Sequence, residues 1–223
     1  MSETKSGDYH KNRDKIVFIH IPKTGGTYLL NVLFNKDNLL AEHYKITHYK
    51  SIEDKHVLFV MRNPLTWYIS FFNFFKKPPH EIGNPFRDVI KKINNIDNFI
   101  DVILNNKKTI SNNLLPAYDK FYLNRKNTYG LMTNYLLYFF NIKDIDENTI
   151  ITKLKRVKNT YNCLYLENLE HDLLDFTIKN NIEVYTRFVK QDINRNKYTE
   201  SEISEESIKY IMEKDRLIFD VFY

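Results

Sequence analysis

The sequence is short of cysteine, glycine and proline. Its single cysteine, Cys163, excludes an intramolecular disulfide and any zinc site built from several cysteines, and it fits a reducing compartment. Five glycines and six prolines among 223 residues exclude collagen-like and proline-rich architectures. Hydrophobic residues make up 43% of the chain and charged residues 27%, a balance typical of a globular protein with a core.

Long apolar runs and dense basic runs are also absent. No apolar stretch approaches the roughly 20 residues of a transmembrane helix, and residues 1–15 lack the apolar segment of a signal peptide, so we expect a cytoplasmic protein. Residues 1–198 hold 30 basic and 21 acidic residues, whereas residues 199–223 hold 3 and 7. This mildly positive body suits an anionic ligand, and its interspersed charges disfavour nucleic acid as a partner.

The apolar periodicity predicts an α/β chain. Short β-branched and aromatic runs predict strands over 15–21, 56–61 and 161–166. Helical patterns cover 27–35, 65–77, 86–105, 131–140, 150–157 and 168–180. Residues 39–47 are ambiguous and expected to be extended. Thr199 and Glu202 predict a capping box that starts a last helix, which runs toward Phe219.

Strands that alternate with helices imply a parallel sheet covered on both faces. The chain length favours one domain with embellishments. We therefore expect a flexible, solvated tail over 1–14 and a single domain over 15–223.

The turn PKTGGT (22–27) lies between the first predicted strand and the first predicted helix. Glycines let several N–H groups converge on one point, and the helix N-terminus adds positive potential. With Lys23 and two hydroxyls, the turn forms a socket for a phosphate-like anion. It could also be an ordinary glycine turn. It is not a Walker A loop, because that loop places its lysine after the glycines.

FIHIPKTGGT (18–27) resembles the 5′-phosphosulfate loop of the carbohydrate sulfotransferases and their bacterial relatives, which use 3′-phosphoadenosine-5′-phosphosulfate (PAPS). The resemblance implies a P-loop-like three-layer α/β/α fold with a short, mainly parallel sheet. It implies that Lys23 contacts the bridging oxygen and that Tyr28 stacks on adenine. The residues implied to bind the 5′-phosphosulfate are Thr24, Gly25, Gly26 and Thr27.

The segment FVMRNPLTWYISFFNFF (59–75) matches a second sulfotransferase motif. Arg62 follows a predicted strand, and Ser70 lies eight residues later in a predicted helix. An arginine fork can grip a phosphate, and a serine hydroxyl adds a further hydrogen bond. By resemblance Arg62 and Ser70 bind the 3′-phosphate; otherwise they would be a surface ion pair and a solvent-facing helix residue. The aromatic residues of this segment are most simply core packing.

Transfer of a sulfuryl group to a hydroxyl requires a base. Several carbohydrate sulfotransferases place a base histidine between the two motifs, which points to His48, with His43 as a second candidate. His20 belongs to the strand and is expected to be structural. The carboxylate alternatives are Glu42, Glu53 and Glu167, and two further cations that could reach the 3′-phosphate are Arg195 and Lys197.

These features predict a sulfotransferase that moves a sulfuryl group from PAPS to a hydroxyl acceptor, with a carbohydrate as the expected class and no metal required. One alternative is a nucleotide-dependent kinase that uses the same phosphate loop, which the position of Lys23 disfavours. The other is a degenerate protein that binds a nucleotide or a glycan without catalysis. Residues 78–128 match neither motif and are expected to shape the acceptor site.

Overall fold

The structure is a computed structural model that describes residues 12–34, 44–49, 51–76, 92–104, 129–184 and 203–223. Contacts divide the chain into two compact units. The first unit is Met1–Arg62 with Val157–Arg195, and the second is Asn63–Arg156 with Asn196–Tyr223. The single domain over 15–223 stays a prediction.

Among the described residues of the first unit, three strands form a parallel sheet, in the order β1 (Ile16–Ile19), β2 (His56–Met61) and β3 (Asn162–Tyr165). Ile19 pairs with Phe59 across β1 and β2. Because the strands are parallel, the residues that follow each of them lie at the same edge of the sheet. The predicted mixed α/β class with a short parallel sheet is confirmed.

The helices within the described ranges are α1 (Gly26–Phe34), α2 (Pro64–Lys76), α3 (Ile96–Leu104), α4 (Leu131–Phe139), α5 (Glu147–Thr160), α6 (Leu169–Lys179), α7 (Glu205–Lys214) and α8 (Arg216–Phe222). The helices predicted over 27–35, 65–77, 131–140 and 168–180 agree with α1, α2, α4 and α6 to within one residue at each end. Helix α5 is longer than the predicted 150–157.

Other predicted elements differ from the structure as well. Residues 92–95 are not helical, so within the described part of the helix predicted over 86–105 only Ile96–Leu104 forms a helix. Residues 46–47, expected to be extended, belong to a 3-10 turn over Ile46–His48. The last helix is two helices: α7, which starts after Ser204, and α8, which starts after Asp215. Thr199 and Glu202 lie outside the described residues.

Ser204 starts α7 because its side chain has two partners. Its oxygen accepts a hydrogen bond from the Ser207 N–H at 3.2 Å, which caps the helix. The Ser204 hydroxyl and N–H both donate to Asp97 Oδ1 in the first turn of α3, at 2.9 and 3.0 Å. A tertiary contact therefore selects the cap.

Alternate residues of the strands point to the same face of the sheet. On one face these residues pack against helices α1 and α6 and form a core with them. The core residues are Ile16, Phe18, Leu29, Val32, Leu33, Phe34, Leu58, Val60, Leu164, Leu169, Leu173, Phe176 and Ile182. The intervening residues Val17, Ile19, Val57 and Phe59 are buried as well, so both faces of the sheet are covered.

Asn12 closes the first unit at its N-terminal side. It is 4% exposed, and its side-chain amide donates to the main-chain oxygens of Leu33, at 2.6 Å, and Glu183, at 2.8 Å. Asn12 therefore belongs to the packed unit rather than to the solvated tail predicted over 1–14; residues 1–11 lie outside the described ranges.

The second unit is built around aromatic rings of α2, α3 and α4. The Phe71 ring lies 4.8 Å from Trp67, 6.2 Å from Phe99 and 6.4 Å from Tyr135. The predicted core role of the aromatic run in α2 holds for Phe71 but not for Phe74, which is 39% exposed. None of the helices in the described ranges is long and apolar enough to cross a bilayer.

A buried acid, Asp215, joins α2, α4 and α8 in the same unit. The carboxylate is fully buried and accepts hydrogen bonds from the Tyr68 hydroxyl, at 2.8 Å, and the Thr133 N–H, at 2.7 Å. The Tyr68 oxygen in turn accepts from the Leu131 N–H at 2.8 Å. Burial raises the pKa of Asp215 to about 6, although these two hydrogen bonds act to lower it.

Candidate functional site

The loop between β1 and α1 makes a left-handed turn. Pro22 ends the extended run, and Lys23 and Gly25 then adopt φ angles of 65° and 88°. Glycine reaches such angles without steric cost, whereas a lysine there costs about 1–3 kcal/mol. The loop therefore stores backbone strain at Lys23.

Each of the two glycines is required for a different reason. Gly25 has the positive φ, and a Cβ there would also lie 2.8 Å from Cδ1 of Leu166. A Cβ on Gly26 would lie 1.9 Å from Nε2 of His20. The His20 ring is 6% exposed and stacks on Phe18 with 5.5 Å between ring centroids. His20 thus fills the space beside Gly26, in keeping with its expected structural role.

The start of α1 presents main-chain donors. The first helical hydrogen bond runs from the Leu29 N–H to the Gly25 oxygen at 3.2 Å, so the helix offers no acceptor to the N–H groups of Gly26, Thr27 and Tyr28. The positive end of the helix dipole lies at the same place. Thr27 is exposed. This part of the loop is therefore suited to bind an anion.

Thr24 differs from the expectation drawn from its hydroxyl. Its side chain is fully buried, and Oγ1 donates to the Ile21 main-chain oxygen at 2.8 Å. The hydroxyl therefore stabilises the turn itself. Only the main-chain N–H of Thr24 is left to serve a bound 5′-phosphosulfate.

Arg62, which belongs to the second motif, contacts the loop. It follows β2, the neighbour of β1, and its Nη1 donates to the Lys23 main-chain oxygen at 3.1 Å. Arg62 and Lys23 are both half-buried residues of the first unit. Ser70 is a half-buried residue of α2 in the second unit. The joint binding of a 3′-phosphate by Arg62 and Ser70 stays a prediction.

Tyr28 lies in the first turn of α1 and is half-buried. Burial raises the pKa of its hydroxyl, and the charge of Glu170 in α6 raises it further. The hydroxyl is therefore neutral near pH 7. The stacking of the Tyr28 ring on adenine stays a prediction.

His48 is an exposed residue at the end of the 3-10 turn Ile46–His48. The next residue, Tyr49, donates from its hydroxyl to the main-chain oxygen of Phe18 in β1 at 3.2 Å, which holds the turn beside that strand. The Tyr44 ring contacts the His48 ring edge-on at 5.8 Å. His43 and Glu42 lie outside the described residues.

The sheet separates the two carboxylate candidates that are described. Glu53 precedes β2, so it lies at the opposite edge of the parallel sheet from the loop. The six residues of β2 make that separation about 20 Å. Hydrogen bonds from its own N–H and from Ser51 also lower the pKa of Glu53, which makes it a weaker base. Glu53 therefore lies too far from the loop to serve as the general base. Glu167 follows β3 and lies at the edge of the loop.

Two further predictions concern the same unit. Cys163 lies in β3, as expected, but its side chain is half-buried rather than buried, and desolvation raises the pKa of its thiol to about 12. Arg195 and Lys197 lie outside the described residues. Within the described ranges, no group of three or more His, Cys, Asp or Glu side chains is arranged to hold a metal ion.

Two features of the site have little or no signal in the sequence: the hydrogen bond from Arg62 to Lys23 and the packing of His20 against Gly26. The first joins residues 39 positions apart, for which the sequence offers no signal. The second had a weak signal, since a histidine precedes a glycine pair across one tight turn.

In comparisons with known proteins, no family model, no curated protein and no solved structure matches the chain.

Proposed function

We propose that the chain is a sulfotransferase that transfers a sulfuryl group from PAPS to a hydroxyl acceptor, with a carbohydrate as the expected class. The observation that carries the proposal is the hydrogen bond between Arg62 and the Lys23 oxygen. It puts the arginine of one nucleotide motif against the loop of the other, within a single unit.

The loop also fits the anionic end of the donor. The N–H groups of Gly26, Thr27 and Tyr28 and the dipole of α1 supply the donors, and Lys23 supplies the positive charge. We extend the proposal to the fold: a parallel sheet whose first strand leads through an anion loop into a helix is the arrangement of a P-loop-like three-layer protein.

The transfer is an in-line displacement, in which the sulfur–oxygen bond to the acceptor forms as the bond to the 5′-phosphate breaks, and the bridging oxygen keeps the electron pair. Lys23 stabilises the charge that develops on that oxygen. His48 takes the proton of the acceptor hydroxyl. Glu167, at the loop edge of the sheet, is the alternative base.

The nucleotide preference tests the proposal directly. Adenosine 3′,5′-bisphosphate, the product of the donor, at about a hundredfold excess over its Kd should stabilise the protein by about 2.7 kcal/mol. ATP with magnesium should stabilise it much less. Differential scanning fluorimetry with both nucleotides measures the difference. Stabilisation by ATP with magnesium and none by the bisphosphate would favour the kinase and overturn the proposal.

Turnover separates an enzyme from a protein that only binds. Transfer of radiolabelled sulfate from PAPS to a panel of hydroxylated acceptors should be detectable. Lys23→Ala should lower turnover by about 10²–10³-fold, because Lys23 acts on charge present mainly in the transition state. Its effect on bisphosphate affinity should be smaller. Tight bisphosphate binding without turnover on any acceptor would favour the non-catalytic alternative.

A further inference from the structure

The loop conformation carries an energetic cost at Lys23. Lys23 has a φ of 65° although it is not glycine, and a side chain makes that region of φ sterically unfavourable. Such a conformation persists only where the surroundings hold it.

Arg62 supplies such a contact. Its Nη1 donates to the Lys23 main-chain oxygen at 3.1 Å, and both groups are partly buried. A charged donor makes a stronger hydrogen bond than a neutral one. The arginine follows β2, which pairs with β1 in parallel, so the sheet fixes where the guanidinium stands relative to the loop.

We infer that Arg62 is a positioning residue for the 5′-phosphosulfate loop, in addition to its proposed role as a ligand of the 3′-phosphate. Arg62 holds Lys23 in the left-handed conformation that brings the start of α1 toward the anion. The inference rests on the proposed function for the identity of its ligand. It follows that removal of Arg62 weakens the binding of a nucleotide that has no 3′-phosphate.

Adenosine 5′-phosphosulfate is the probe, because it carries the 5′-phosphosulfate alone. Arg62→Ala should weaken its binding about 3–10-fold, the value of one hydrogen bond from a charged group to the loop. Arg216→Ala, which removes an exposed arginine paired with Glu147, is the matched control for the lost charge and should leave the affinity unchanged. Isothermal calorimetry measures all three proteins.

A substitution at position 23 distinguishes positioning from direct contact. Lys23→Ala and Lys23→Gly both remove the ammonium, but only glycine adopts a positive φ without cost. Arg62→Ala should therefore cost about 3–10-fold in the Lys23→Ala background and at most about twofold in the Lys23→Gly background. Equal costs in the two backgrounds would overturn the inference.

Hydrogen exchange in the ligand-free protein keeps this test separate from the proposed function. The Leu29 N–H, which donates to Gly25, should exchange faster in Arg62→Ala, while the amides of α6 should not change. Unchanged exchange at Leu29 would also overturn the inference. If the unsubstituted protein binds neither adenosine 5′-phosphosulfate nor the bisphosphate, the proposed function fails. Hydrogen exchange at Leu29 then still tests whether Arg62 positions the loop. Arg62→Lys should show the same changes, but smaller ones. This variant provides the test if Arg62→Ala does not fold.

Discussion

The loop in the first unit and the cluster around Asp215 in the second differ in how their polar groups are hydrogen-bonded. At the loop, the N–H groups at the start of α1 have no acceptor within the helix, and Lys23 is held at a positive φ. Around Asp215, a buried carboxylate, a hydroxyl and two N–H groups satisfy one another.

This difference separates two uses of polar groups. Donors without an acceptor cost stability unless a ligand supplies one, so they belong at a binding site. Buried polar groups that hydrogen-bond to one another fix the arrangement of helices and contribute to stability. Substitutions at the loop should therefore change ligand binding or turnover, and substitutions at the cluster should change the free energy of unfolding.

The largest expected effect is on turnover. His48→Ala should lower it by about 10²–10⁴-fold, the usual loss when a general base is removed. The melting temperature and bisphosphate affinity should barely change, because His48 is exposed and faces the acceptor in the proposed mechanism. His171→Ala, which removes another exposed histidine of the first unit, is the control. Near-normal turnover in His48→Ala would transfer the role to a carboxylate, with Glu167 the first to test.

Asp215→Ala should show the converse behaviour. It leaves the Tyr68 hydroxyl and the Thr133 N–H buried without an acceptor, which should lower the free energy of unfolding by about 2–4 kcal/mol. Chemical denaturation measures this loss. Asp220→Ala, at an exposed position of the same helix α8, should be close to neutral. A loss of bisphosphate affinity in folded Asp215→Ala would break the separation between the two regions.

Gly26 and Gly130 provide a matched pair, one in each region. An added Cβ meets His20 Nε2 at 1.9 Å in the first case and Asp215 Oδ2 at 2.1 Å in the second. Each alanine variant should lose about 1–3 kcal/mol of stability by overpacking. Only Gly26→Ala should also weaken bisphosphate binding. Adding His20→Ala to Gly26→Ala should recover affinity, since it removes the obstructing ring; no recovery would mean that His20 does not set the loop position.

A further expected effect, similar in size to that of the glycine variants, is a pH dependence of stability from Asp215. Its pKa is raised from 3.8 to about 6 in the folded state, so the folded protein binds this proton more tightly than the unfolded chain. The free energy of unfolding should therefore fall by about 1–3 kcal/mol as the pH rises from about 4 to about 6, and level off above that. Asp215→Asn should remove this part of the slope. An identical slope in the variant would place the titrating group elsewhere.

The elements that the sequence predicts well are those whose signals are local. The strand over His56–Met61 and the helix that follows Pro64 come from apolar runs bounded by a proline. The glycine pair likewise identifies the turn between β1 and α1. Each of these signals lies within a few residues of the element it specifies.

The features that the sequence could not predict depend on partners distant along the chain. In the sequence, Asp215 is one of several acids in an acidic C-terminal segment. Its hydrogen-bond partner in the structure, Tyr68, lies 147 residues away along the chain. The start of α7 shows the same limit. Several serine and threonine residues precede that helix, and the contact with Asp97 in α3 selects Ser204. The fully buried hydroxyl of Thr24 is a further case, because the sequence shows a hydroxyl but not its acceptor.

The single cysteine of the chain gives the first unit a built-in reporter. Cys163 lies in β3, and burial raises its thiol pKa to about 12, so almost no thiolate is present at neutral pH. A thiol-specific reagent should therefore react slowly with Cys163 while β3 keeps its native surroundings. The rate of labelling thus reports on the surroundings of this strand, and its slowing by the bisphosphate would show that ligand binding at the loop also affects the sheet.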